Sequence, residues 1–104
     1  MIPTRRENTI LTIPWRNSVL TLCFGYVDGE AMEVFGDIGK PGTDLNHLVH
    51  DICRSMSKEL ADGTPPEEFA ARAMRDAEGN HVSIFGVIAD ALCAEQATHA
   101  SSYE

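Results

Sequence analysis

Positive charge is what this sequence lacks most: it has eight Lys and Arg against sixteen Asp and Glu, and its net charge at pH 7 is −8. A protein that binds a nucleic-acid backbone needs a basic face that neutralises phosphates. We therefore expect no direct binding to a nucleic-acid backbone. An acidic surface is instead typical of a protein that stays in solution or meets a basic partner.

Cysteine and long apolar runs are scarce as well. Cys23, Cys53 and Cys93 lie far apart, and no CxxC or CxxH pair offers the spacing of a thiolate zinc site. Isolated thiols in an odd number indicate reduced, buried cysteines in the cytoplasm. No apolar run is long enough to cross a membrane and no secretory segment is apparent, so we expect no membrane partner. We also expect no cofactor.

What the sequence does contain, up to Ile38, is a pattern of strands and turns. Residues 9–13 form a short predicted strand that ends at Pro14. Residues 19–27 are rich in β-branched and aromatic side chains. Asp28-Gly29 is the signal of a two-residue hairpin turn, and Glu30–Ile38 is the returning strand.

The predicted turn also fixes which side chains share a face of the hairpin. Pairing Val27 with Glu30 places a large apolar set on one face, together with Glu33 and Asp37. This set consists of Leu20, Leu22, Phe24, Tyr26 and Phe35. Because helices can cover only one face of so small a sheet, we expect the set to be exposed and to form the interface of a homodimer or higher oligomer.

Three helices are predicted after the strands. The first, Asp44–Ala61, has an apolar stripe at helical spacing: Leu45, Leu48, Val49, Ile52, Met56 and Leu60. Thr64 and Glu67 have the spacing of a capping box at the start of a second helix, which reaches Gly79. Ser83 caps a third, and residues 98–104 read as a polar tail.

The order of these elements predicts an α+β fold. We expect a small three-stranded antiparallel sheet at the N-terminus, covered on one face by three helices. The length of 104 residues fits a single domain, residues 1–104. Its ordered core is expected at about residues 9–97, between loose polar termini.

The glycine-rich joint before the first predicted helix is a weak candidate for an anion site. Lys40, Gly42 and Thr43 could hold an anion against the free N–H groups of the helix start. However, a phosphate loop needs its lysine after the last glycine, and Asp44 at this position would repel an anion. The alternative is a plain connection from strand to helix, in which the glycines supply special backbone angles.

A metal site is a second candidate, on the polar side of the first predicted helix. His47, His50 and Asp51 lie about one turn apart, and imidazole and carboxylate groups at such spacing can chelate a divalent metal. The motif lacks further ligands of its own, although His81 or His99 could supply one. The alternative is a solvated face with ion pairs such as Asp51 with Arg54.

Three stretches, in this order, resemble the TSCPD domain family. "NSVLTLCFGYVDGEAMEVFGDIGKPGTDL" is similar to the hairpin and glycine joint of that domain, "ELADGTPPEEFAARAM" to its next helix start, and "SIFGVIADAL" to its closing segment. The Thr-Ser-Cys-Pro-Asp string that names the family is absent. Residues 80–85 stand at its place without a cysteine, so a metal or redox role that depends on this cysteine does not carry over.

The resemblance implies a small domain that occurs at the C-terminus of cobalamin-dependent ribonucleotide reductases and as a free-standing protein, with no catalysis attached to it. We therefore expect a non-catalytic, cytoplasmic accessory module with a regulatory role near ribonucleotide reduction or nucleotide metabolism. One alternative is a small acidic inhibitor, such as a phage encodes, that binds a basic nucleic-acid-handling protein. Another is a metal-dependent hydrolase that uses His47, His50 and Asp51.

Overall fold

The computed structural model describes residues 6–103 of the chain. Three strands come first, β1 (Arg6–Trp15), β2 (Ser18–Val27) and β3 (Glu30–Ile38), and they form one antiparallel sheet in the order β1-β2-β3. Three helices follow, α1 (Asp44–Ala61), α2 (Pro66–Arg72) and α3 (Ile84–Tyr103). The predicted α+β fold is confirmed. No helix within residues 6–103 is long and apolar enough to cross a membrane.

The hydrophobic core lies between the helices and one face of the sheet, which we call the inner face. From the sheet it receives Leu20, Leu22, Phe24, Tyr26, Ala31, Val34 and Ile38. From the helices it receives Val49, Cys53, Met56, Leu60, Phe69, Ile84, Ile88, Ala89 and Leu92. The other face of the sheet, the outer face, carries the exposed side chains of all three strands.

The first strand is longer than predicted at both ends. It starts at Arg6 and pairs with β2 without interruption up to Trp15, opposite Ser18. Pro14 does not end the strand because β1 lies at the edge of the sheet, where the missing N–H of a proline removes no ladder bond if its nitrogen faces outward. A two-residue turn, Arg16-Asn17, joins β1 to β2, with Arg16 at a φ of 54°.

The second turn is also confirmed, since Asp28 and Gly29 both have positive φ, 51° and 82°. Beyond it the register changes. Tyr26 lies opposite Ala31 but Gly25 lies opposite Glu33, so Met32 is an extra residue in β3, a β-bulge. From this point on, every residue of β3 is shifted by one position relative to the register that the turn alone predicts.

The side of α1 that packs on the core differs from the predicted stripe. Leu48 is 49% exposed, whereas Asn46 and Cys53 are buried. Asn46 is buried because its amide donates to the carboxylate of Asp37 at 2.7 Å and to the carbonyl of Ile38 at 2.9 Å. These two hydrogen bonds replace the ones that the amide would make to water, and they fix how the first turn of α1 is rotated about the helix axis.

The second helix is shorter than predicted and lacks the expected cap. It ends at Arg72, and Met74 is 72% exposed. Thr64 does not form the capping box with Glu67, because the first turn is preceded by Pro65, which has no side chain that can cap. The backbone N–H of Thr64 instead donates to the carbonyl of Glu59 in α1 at 2.9 Å.

The third helix continues through the segment predicted to be a polar tail and is described up to Tyr103. His99 anchors this last part of the helix. Its ring stacks on Tyr26 with the ring centroids 3.7 Å apart, and its Nε2 lies 2.9 Å from the carboxylate of Glu7 in β1. The polar sequence of residues 98–104 gives no sign of this contact, because His99 and Tyr26 lie far apart in the sequence and come together only in the folded chain.

Side chains of α1 and α3 cover the free edge of β3, the edge that does not pair with β2. The hydroxyl of Ser57 accepts from the N–H of Val34 and donates to its carbonyl, both at 2.9 Å. The side-chain amide of Gln96 accepts from the N–H of Ala31 and donates to the carbonyl of Gly29 at 2.8 Å. Two side chains thus satisfy strand groups that would otherwise face solvent.

Candidate functional site

The apolar set predicted to form an interface is not exposed, and this prediction is wrong for four of its five members. Leu20, Leu22 and Phe24 are 0% exposed and Tyr26 is 2% exposed, all beneath the helices. Only Phe35 is exposed, at 58%, and it lies on the outer face. The four residues of β2 are buried because the helices pack on their face of the sheet. The bulge at Met32 adds Val34 and Ile38 to this face and moves Phe35 to the other.

The outer face carries a row of apolar side chains across all three strands. Ile10 of β1 lies opposite Cys23 of β2, and Cys23 lies opposite Phe35 of β3. Ile10 is 73% exposed, and Val19 beside the row is 56% exposed. We call Ile10, Cys23 and Phe35 the apolar row. It is the feature of the sheet that the core does not explain, because these side chains contribute nothing to the buried cluster.

Two carboxylates flank the apolar row on β3. Glu33 lies on one side, where its side chain crosses over Gly25: a Cβ at Gly25 would lie 3.2 Å from Cγ of Glu33. Asp37 lies on the other side, opposite Thr21. Glu33, Phe35 and Asp37 share one face because side chains two positions apart lie on the same side of a strand. The bulge places this face on the side of Cys23 and away from the buried residues of β2.

The pKa of Asp37 is lowered from its ordinary value. The main cause is the hydrogen bond from Asn46, and a second bond joins the same oxygen to Nε2 of His50 at 3.3 Å. Hydrogen bonds to a carboxylate favour its charged form. Asp37 therefore stays ionised at the rim of the outer face.

The glycine joint acts as a helix cap rather than as an assembled anion site. The hydroxyl of Thr43 accepts from the N–H of Asn46 at 3.2 Å and donates to the carbonyl of Lys40 at 2.9 Å. Gly39 and Gly42 have positive φ, 59° and 86°, so they supply the backbone angles of the connection. Of the three predicted anion-site residues, Thr43 is thus engaged within the chain, and Lys40 and Gly42 shape its turn.

The predicted metal residues do not form a metal centre. Among the residues that the structure describes, no group of three or more His, Cys, Asp or Glu side chains could hold a metal ion. His50 is directed toward Asp37 of the sheet, while His47 and Asp51 are exposed on α1. The residues share a helix face, as their spacing predicts, but the face is a solvated one.

The three cysteines are free thiols. Burial raises the pKa of Cys53 to about 12. Burial, with Glu67 and Asp90 nearby, also raises the pKa of Cys93. A raised pKa leaves little thiolate at neutral pH and makes a thiol a poor nucleophile.

The ion pairs spread the remaining carboxylates over several surfaces. Arg72 of α2 binds Glu59 of α1 through two hydrogen bonds of 2.8 Å. Arg75 and His81 both bind Asp90 of α3, at 3.0 Å and 2.8 Å. A protein that imitates a nucleic acid would gather its carboxylates on one face. This distribution is the opposite of that arrangement.

Comparisons with known proteins give no match. No protein-family model, no curated protein and no solved structure matches the chain. The candidate site therefore depends on the geometry of the outer face itself.

The sequence analysis misses two of the residues that shape this region. The first is Met32, whose role as a bulge cannot be told from an ordinary strand residue. The second is Gly36, where a Cβ would lie 2.8 Å from both Sγ of Cys53 and Cγ1 of Val49. A glycine inside a strand is the one available hint, because it often marks a close approach of another element.

Proposed function

We propose that the chain is a non-catalytic, cytoplasmic accessory module that binds a protein partner through the outer face of its sheet. The observation that carries the proposal is the apolar row, with Ile10 73% and Phe35 58% exposed. A connected apolar patch on a solvent-facing surface is typical of an interaction site. The flanking Glu33 and Asp37 add a charged rim, which suits a partner with basic residues around an apolar centre.

The chemistry of the described side chains supports binding rather than catalysis. The two cysteines with shifted pKa are less nucleophilic than an ordinary thiol. Three described histidines face carboxylates and hold parts of the fold together. His50 joins α1 to β3, His81 joins the segment before α3 to Asp90 of that helix, and His99 joins α3 to β1. A carboxylate can also orient a catalytic histidine, but such a histidine needs a nucleophile within hydrogen-bond reach of its other ring nitrogen, and the contacts described for His50 and His99 include none.

The link to ribonucleotide reduction comes from the resemblance to the TSCPD domain. The reductase in which that domain occurs is the first partner to test, and a second copy of the chain is another. In this role the chain would regulate or position the reductase and would leave the reaction itself to it.

The test measures binding of the purified chain to the cobalamin-dependent ribonucleotide reductase of the same source, by biolayer interferometry. We expect Phe35→Glu to weaken binding at least about tenfold, because it places a charge in the apolar centre of the interface. Met74→Glu is the matched control, since Met74 is 72% exposed and lies outside the sheet. It should leave the affinity unchanged.

Two results would contradict the proposal. If the wild-type chain does not bind the reductase, the assignment of this partner fails. If Phe35→Glu and Met74→Glu weaken binding equally, the partner does not use the outer face.

A further inference from the structure

The two edges of the sheet differ in how they are protected. Ser57 and Gln96 bond the outward groups of β3, as described above. Within residues 6–103, β1 pairs with β2 and with no other strand. Its pairing with β2 runs from Arg6 to Trp15 without a bulge. A long regular edge strand of this kind is a template for another strand.

The turn between β1 and β2 determines which backbone groups of β1 face outward. Trp15 and Ser18 flank a two-residue turn, and such a flanking pair is hydrogen-bonded. Hydrogen-bonded and non-hydrogen-bonded pairs alternate along the strand. The backbone groups of Pro14, and of every second residue before it, therefore point away from β2. These residues are Arg6, Asn8, Ile10, Thr12 and Pro14. Pro14 has no N–H, which is acceptable only at such an outward position.

The same rule can be checked on β3. Val27 and Glu30 flank the second two-residue turn, so they too form a hydrogen-bonded pair. With the bulge included, the alternation makes Ala31 and Val34 outward-facing. These are the residues whose backbone groups bond to Gln96 and Ser57. The assignment of outward groups on β1 therefore follows a rule that the other edge obeys.

Charge decides what can approach this edge. Residues 8–15 contain no ionisable side chain, although the chain as a whole carries a net charge of −8. Two copies of the chain repel each other over most of their surface, but this strip brings no like charges together. Ile10, at the middle of the strip, is 73% exposed.

We propose that β1 pairs with β1 of a second copy, antiparallel and around a two-fold axis at Ile10, so that two sheets join into one of six strands. In this register Ile10 faces its symmetry mate, and Asn8 faces Thr12 of the second copy. Each of these pairs can exchange both of its N–H···O bonds. At the two ends of this register Arg6 faces Pro14, and each of these pairs can form only one bond. A register centred on Leu11 would pair Ile10 with Thr12 and Asn8 with Pro14, and so would contain two complete pairs instead of three.

The joined sheet would extend the apolar row across both copies, because the two-fold axis keeps their outer faces on one side. Ile10 would then connect the rows instead of ending each of them. This inference specifies the second copy that the proposed function includes. It rests on the edge of β1 and not on Phe35, so the two can fail separately.

The first test uses a substitution that removes only the outward N–H. Sedimentation velocity across the micromolar range should give a dimeric mass for the wild-type chain. Thr12→Pro should raise the dissociation constant at least about tenfold, since it removes one backbone donor from each copy. Thr12→Val keeps the N–H and serves as the control. Far-UV circular dichroism checks that each variant stays folded, and Phe35→Glu should stay dimeric.

The second test fixes the register with a disulfide in a Cys23→Ser background, which removes the neighbouring thiol. Ile10→Cys places two cysteines opposite each other with Cα atoms about 5.5 Å apart, within the range of roughly 4.4–6.8 Å for a disulfide. Mild oxidation should give a covalent dimer, whereas Asn8→Cys should not. A monomeric wild-type mass would overturn the proposal, and so would equal crosslinking of Ile10→Cys and Asn8→Cys.

Discussion

At the scale of single residues, the role of Asp37 follows from its hydrogen-bond partners and not from its residue type. In the sequence it is one of sixteen acidic residues with no distinguishing motif. In the structure it accepts from Asn46 and His50, and it ties the start of α1 to the end of β3. Its exposure of 65% keeps it in contact with solvent at the same time.

This arrangement predicts a pH dependence of stability. The pKa of Asp37 is lower in the folded chain than in the unfolded chain, chiefly because of Asn46. Its contribution to stability is therefore present above the unfolded pKa and is lost as the pH falls through the folded pKa. We expect the urea midpoint of Asp37→Asn to fall less steeply than that of the wild-type chain between about pH 5 and pH 2.

Asp51→Asn on α1 is the control for this measurement, because its carboxylate is also exposed. It should follow the wild-type acid profile. Identical profiles for Asp37→Asn and the wild-type chain would show that the bonds from Asn46 and His50 do not stabilise the ionised form.

At the scale of elements, the hydroxyl of Ser57 satisfies the free edge of β3 at Val34. Replacing Ser57 by alanine leaves the N–H and carbonyl of Val34 without this partner beside a buried side chain. We expect Ser57→Ala to lower the free energy of unfolding by about 1–3 kcal/mol, measured by urea denaturation. Ser55→Ala, at an exposed position of the same helix, should change it by less than about 0.5 kcal/mol. Equal effects would mean that the edge of β3 is satisfied in another way.

The elements themselves were largely predictable, but the faces of β3 were not. Alternating apolar residues and the Asp28-Gly29 turn predict the hairpin, and periodicity predicts α1. The register beyond the turn depends on whether Met32 is paired or bulged, and no local propensity distinguishes the two. Since a shift of one position exchanges the faces, the bulge separates Phe35 from the four β2 residues predicted to share its face. Those four are buried because the helices pack on their side of the sheet, and the hairpin pattern alone does not determine that side.

The candidate site was less predictable than the fold for the same reason. Phe35 was chosen from the sequence, but for a face that the helices cover. Ile10 was not chosen, because a lone isoleucine in a short predicted strand resembles any core residue. Its exposure follows from the register of β1, which places Ile10 opposite Cys23 on the outer face, while Leu11 and Ile13 pack against the core. Side chains at an edge are decided by topology, which local sequence patterns do not contain.

At the scale of the whole molecule, the last helix contacts the first two strands. His99 near the end of α3 contacts Tyr26 and Glu7, and Gln96 reaches the turn between β2 and β3. The last helix therefore depends on the first strands for its anchor, and its residues Ile84, Ile88, Ala89 and Leu92 contribute to the core that covers the strands.

The Gln96 amide has a kinetic consequence. It bonds to Ala31, which lies 65 positions earlier in the chain, so loop closure delays this contact while the hairpin turn can form locally. A contact made after the rate-limiting step acts on unfolding alone. In stopped-flow experiments, Gln96→Ala should speed unfolding and leave the refolding rate nearly unchanged. If refolding slows to the same extent, α3 already docks on the hairpin in the transition state, and the two elements form the folding nucleus together.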